Sequence, residues 1–103
     1  MAKVHSNTTA GAGNNTVVEI AALSEVARRV SNIIWSFDAD PGNAVALRVE
    51  SPVNTTIFEV DVTKGGPGPI PVGGFEGARG EAIVVTLVSD GAATGKLNVI
   101  TED

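Results

Sequence analysis

The chain contains no cysteine and no tyrosine, and its only histidine is His5. Without thiols there is no disulfide framework and no thiolate metal site, and cysteine usage says nothing of the redox compartment. A lone histidine also rules out the common zinc sites, and no serine has a histidine base within the main body of the chain. Aromatics make up only 4% of residues, namely Trp35, Phe37, Phe58 and Phe75, so a core must be built mainly from Val, Ile, Leu and Ala. Basic residues are few and dispersed apart from Arg28-Arg29. Seven Lys and Arg stand against twelve Asp and Glu, a formal charge of −5. Phosphate backbones repel such a surface, and nucleic-acid binding is not expected. No run approaches the ~20 apolar residues of a membrane span, and the start MAKVHSNTTAGAGNNT has no apolar signal-peptide core. The expectation is a soluble protein with no membrane partner.

What is present fits one domain. A chain of 103 residues, 43% of them hydrophobic, has material for a single core. Residues 1–15 are Asn, Thr, Gly, Ala and Ser with few apolar groups, too polar to repay the entropy of ordering alone. They read as a flexible N-terminal arm, either frayed or ordered against a neighbouring subunit, attached to a domain over 16–103.

Within that domain the apolar period is mostly two. Thr16 to Ala21 reads as a short strand; the following AALSEVARR reads as two helical turns or as an irregular crossover. Ile33, Trp35 and Phe37 then alternate with Asn32, Ile34 and Ser36, with Trp35 as the natural core anchor. Asp38 to Asn43 supplies Pro, Gly and Asn for a reversal. Val45, Leu47 and Val49 form the next inward face, ended by Ser51-Pro52-Val53-Asn54. Phe58, Val60 and Val62 follow, opposite an acidic face of Glu59 and Asp61. Lys64 to Gly80 is an extended Gly/Pro connection able to hold a short strand at Ile70 to Val72. EAIVVTLVS and GKLNVIT, joined through Asp90-Gly91-Ala92-Ala93-Thr94, read as a central β-hairpin. About seven short strands with turn signals between them and little helix predict an all-β, antiparallel β-sandwich or jelly-roll-like fold.

The chemical motifs dissolve when their spacing is checked. Asp38-x-Asp40-x-Gly42-Asn43 lacks the twelfth-position Glu of a calcium loop, where Val49 stands. Gly91 to Leu97 has too few residues between its glycines for a phosphate loop and no Ser or Thr after Lys96. The carboxylate pairs Asp38/Asp40 and Glu59/Asp61 have glycosidase-like proximity, but exposed acidic strands have the same spacing. Asn7-Thr8-Thr9, Asn14-Asn15-Thr16 and Asn54-Thr55-Thr56 match the glycosylation pattern in an Asn- and Thr-rich chain. No catalytic residue, cofactor or metal ligand is expected.

Arg28-Arg29, Ile33-Ile34-Trp35-Ser36-Phe37-Asp38, Pro67-Gly68-Pro69-Ile70-Pro71, Gly73-Gly74-Phe75-Glu76-Gly77-Ala78 and the closing Ala92 to Val99 together resemble small β-sandwich structural proteins of tailed-bacteriophage virions: capsid decoration, head-fibre base and related minor proteins. The resemblance spans roughly residues 16–103. It implies a non-enzymatic homo-oligomer, often a trimer, bound to the major capsid or another virion protein at the capsid surface. The arm and the Gly/Pro connection would then make the contacts, through Val4, His5, Asn7, Thr9, Asn14, Pro67, Pro69, Phe75 and Arg79. The alternative is a carbohydrate- or host-receptor-binding module using the tips Asp38 to Asn43 and Asp90 to Gly95, with Trp35 and Phe75 as the candidate aromatic platform.

Overall fold

The computed structural model describes residues 3–8, 14–39, 45–62, 68–70, 75–89 and 93–102. They form nine strands and no helix: β1 (Lys3–Thr8), β2 (Thr16–Ile20), β3 (Arg29–Phe37), β4 (Val45–Glu50), β5 (Thr56–Val62), β6 (Gly68–Ile70), β7 (Phe75–Glu76), β8 (Ile83–Leu87) and β9 (Gly95–Thr101). Seven have five or more residues, which matches the expected number, and β6 and β7 are short additions. One sheet has the order β1-β9-β3-β6, with β7 also pairing β3; the other has the order β2-β8-β4-β5. Every pairing is antiparallel. β6 opposes Ile33 to Trp35 and β7 opposes Arg29 and Val30, so the two lie end to end along one flank of β3. Taken as one interrupted strand, they complete a jelly roll, two four-stranded sheets wound together.

The central sequence expectation is corrected here. The runs 83–87 and 95–101 do not pair with each other; β8 is an inner strand of one sheet and β9 an inner strand of the other. Both are rich in β-branched residues because each is flanked on two sides, and that composition resembles a hairpin's. Their connection therefore passes between layers.

The alternation itself is observed. Val30, Ile33, Trp35 and Phe37 of β3 and Leu97 and Val99 of β9 are buried in one core with Val18, Ile20, Val45, Leu47, Val49, Val62, Ile83, Val85 and Leu87 from the second sheet. Full burial of each large aliphatic chain contributes about 1.5–3 kcal/mol. Trp35 and Phe37 sit two apart on β3, and their rings are tilted by 60° with centroids 6.0 Å apart.

Three further differences have local causes. Lys3–Thr8, read as part of an arm, pairs residue for residue with β9 from Lys3↔Thr101 to Thr8↔Lys96. Its inner-facing positions Lys3, His5 and Asn7 are polar, so no apolar alternation announced it. The possible helix after Ala21 is a tight turn, in which Val26 N–H donates to Leu23 O (3.1 Å) and Glu25 has φ 60°. Finally, the short strand within the Gly/Pro connection lies at Gly68–Ile70, while residues 71–72 are outside the described set.

Candidate functional site

The two ends of the sandwich differ in character. At one end the β2–β3, β4–β5 and β7–β8 connections lock together through buried polar groups. Ser51 Oγ donates to Ala82 O (2.8 Å) and accepts from Ala78 N–H (2.8 Å). Arg28, only 7% exposed, donates from its guanidinium to Ala21 O (2.7 Å). Arg79 Nε donates to Glu25 O (2.9 Å), and Gly77 and Gly80 donate backbone N–H groups to Arg28 O and Val26 O, both at 2.9 Å. A Cβ on Gly77 would lie 2.6 Å from Ile83 Cγ1, so the strands approach at a distance that requires glycine. This end is a structural clamp.

The other end gathers polar loop bases. Asp38, at the end of β3, accepts Thr94 N–H on Oδ1 (2.7 Å), while Asp38 N–H donates to Thr94 O (3.0 Å). Asn15 Oδ1 accepts Ser89 N–H (3.2 Å), and Ser89 Oγ donates to Ala93 O (3.0 Å). Thr16 Oγ1 donates to Gly95 O (3.3 Å). Thus the β1–β2, β3–β4 and β8–β9 connections are tied side by side, with Asp38, Asn14 and Asn15 exposed. Asp38 and Thr94, one from each of the two turn segments suspected from sequence, meet at this end although far apart in the chain; residues 40–43 and 90–92 of those segments lie outside the described residues. Asn15 entered the sequence reading only within a glycosylation pattern and Ser89 had no assigned role; the usable signal is an Asn immediately before a strand and a Ser two residues after one, both positions where short polar side chains bond loop backbone.

The residues expected to make partner contacts do not converge. Val4, His5 and Asn7 lie on β1: Val4 is 63% exposed, His5 Nε2 is hydrogen-bonded to Thr101 Oγ1 (3.1 Å), and Asn7 Nδ2 donates to Val17 O (2.8 Å). Pro69 and Phe75 have their backbones on the opposite flank of the same sheet, facing Ile34 and Val30. Arg79 belongs to the clamp end, Asn14 to the loop end, and Thr9 and Pro67 lie outside the described residues. Trp35 is 8% exposed and part of the core, which corrects its candidacy as a ligand-stacking platform.

The acidic strand face is observed. Glu59 and Asp61 are exposed on β5, and Arg48 approaches Glu50 (3.8 Å) and Glu59 (4.0 Å). Such partly solvated pairs contribute little, about 0–1 kcal/mol each. Asp38 is engaged with backbone, and among the described residues no three His, Asp or Glu side chains cluster as a metal site would require.

Fold and loop end together define a jelly-roll β-sandwich with a polar, multi-loop end. No protein-family model matches the chain, and no curated protein matches it. Solved structures do. The CBM36-1 domain of a multidomain xylanase from the hindgut metagenome of Trinervitermes trinervoides is 9% identical, with TM-score 0.56 over 98% of this chain and 95% of that one. SpX-3, a fucose binding module of Streptococcus pneumoniae, is 15% identical, with TM-score 0.57 over 95% and 73%. The NLP-core of Drosophila, described for pentamer formation and histone binding, is 9% identical, with TM-score 0.59 over 100% and 98%. At such identities the likeness establishes the β-sandwich fold alone, and the three proteins illustrate how differently one architecture is used.

Proposed function

We propose that the chain is a non-catalytic binding module that presents its loop end to a carbohydrate. The observation that carries this reading is the Asp38–Thr94 clip, which together with the Asn15–Ser89 bond brings carboxylate, amide and hydroxyl groups from three connections to one end of the sandwich. Carboxylate, amide and hydroxyl groups are the donors and acceptors that sugar hydroxyls need, and loops on a rigid frame are where binding residues concentrate. The fold likeness to a CBM domain and to a fucose binding module supports the same class. With Trp35 and Phe37 buried, recognition rests on hydrogen bonds at the loops and not on stacking against those rings.

A glycan array probed with the intact protein tests the proposal. Binding to a defined group of glycans is expected, with loss of signal in Asp38→Ala while folding is retained. No hits on a broad array, or hits unaffected by Asp38→Ala, would overturn it. Attachment to a virion surface is the second reading, favoured by the sequence resemblance; co-sedimentation of the protein with phage particles tests it separately.

A further inference from the structure

We propose that Gly95 is a positioning residue of the loop end: its missing side chain lets three buried strands close against the start of β9, and that closure holds the polar groups next to it in place. The bearing of this on ligand binding rests on the carbohydrate reading of that end. Gly95 pairs with Phe37 in one sheet, and Thr16 pairs with Leu87 in the other. Stacked sheets ordinarily lie about 10 Å apart, too far for a threonine side chain to reach across. Here Thr16 Oγ1 donates to Gly95 O at 3.3 Å, so the two layers converge at this end.

A Cβ on Gly95 would lie 2.9 Å from Thr16 Oγ1, 3.0 Å from Leu87 Cδ2 and 3.3 Å from Phe37 Cε1, one neighbour from each of three strands. All three side chains are buried, Leu87 fully. A close-packed interior has no void to take up a methyl group, so a strand must shift to admit one. Among the described glycines only Gly80 has a positive φ, so Gly95 is required by space and not by backbone conformation.

The consequence falls on the loop end because each member of this contact is a near chain neighbour of a group there. Asn15 precedes Thr16, Asp38 follows Phe37, Ser89 stands two residues past Leu87, and Thr94 precedes Gly95. Ser89 N–H donates to Asn15 Oδ1, Ser89 Oγ to Ala93 O, and Thr94 N–H to Asp38 Oδ1. A strand shifted at Gly95 carries its loop residue with it, and hydrogen bonds weaken steeply once distance and angle depart from their optimum. The clamp end, at the far side of the core, has no part in this contact.

The test compares Gly95→Ala with Gly77→Ala, since an added Cβ on Gly77 at the clamp end would also be crowded, 2.6 Å from Ile83 Cγ1 and 2.8 Å from Ser51 Oγ. Amide hydrogen exchange of Ser89 and Thr94, followed by NMR and taken relative to the core strands to remove any change in global stability, is the readout. Gly95→Ala should speed exchange at both amides by about tenfold or more, and Gly77→Ala should leave both unchanged. Wild-type rates in Gly95→Ala, or equal acceleration in Gly77→Ala, would overturn the proposal. The wild type in mild urea supplies a second measurement that needs no variant: Ser89 and Thr94 should open as one unit with the first residues of β9, and independent opening would also overturn it. Glycan affinity is measured on the same proteins. Accelerated exchange with unaltered glycan binding, or no glycan binding by the wild type, would remove the carbohydrate reading and leave the role of Gly95 standing.

Discussion

Ser51 illustrates how much of this fold depends on small polar side chains at strand ends. Its buried hydroxyl satisfies a carbonyl and an amide from the connection before β8. Removing it strands two backbone groups away from water, each with a desolvation cost, so Ser51→Ala is expected to lose about 1–3 kcal/mol in urea unfolding. A change in unfolding free energy below about 0.5 kcal/mol would show that water replaces the hydroxyl. The sequence told that Ser51-Pro52 ends a strand, and it does; it could not tell that the serine fastens residues 78 and 82, because that contact depends on which connections share an end. Arg28 and Arg29 carry the same lesson. Adjacent and chemically identical, one is buried and bonded to Ala21 O while the other is exposed on β3, and only the tertiary path separates them.

At the scale of elements, the inner strands were legible because their faces obey a period of two. Val45, Leu47 and Val49, or Ile33, Trp35 and Phe37, need no partner to be recognised. β1 was not legible for the opposite reason: its inner-facing residues are polar and its stability comes from the β9 ladder. A chain lacking residues 1–14 therefore loses a paired strand along with the arm. A detachable arm would leave the fold unaffected, but removing β1 exposes the edge of β9, whose apolar residues Leu97, Val99 and Ile100 then lie on an unprotected strand. Such a chain is expected to melt at lower temperature and to scatter light on heating; an unchanged melting curve would assign β1 no structural weight. The β8 and β9 runs show the limit of reading pairs from sequence: composition identifies an inner strand, while only the packing of layers decides which sheet receives it.

For the whole molecule, the winding of the chain sets the time it needs to fold. Lys3 pairs with Thr101, and β3 pairs along most of its length with β9, about sixty residues away in the chain. Because loop closure between distant segments precedes any reward from their pairing, refolding is expected in the ms to s range typical of β-sandwiches and not in the µs range of helical bundles. Stopped-flow fluorescence of the single tryptophan, buried in the core, measures this directly. A relaxation completed within microseconds would mean that the sheets do not form together. Class and layers were thus readable from alternation and turn chemistry, whereas the loop end was readable only in pieces, as separate polar segments of which Asp38 and Thr94 are joined by a bond that no sequence pattern announces.

The antiparallel pairing of β1 with β9 also gives the molecule a mechanical direction. Lys3 and Thr101 lie side by side at the same end of the ladder, so tension applied between them opens the strand pair one rung at a time, as a zipper opens. Loaded through these two points the domain yields gradually under small force. Loaded across the sandwich, from the clamp end to the loop end, the same ladders are stressed along their length and must break together.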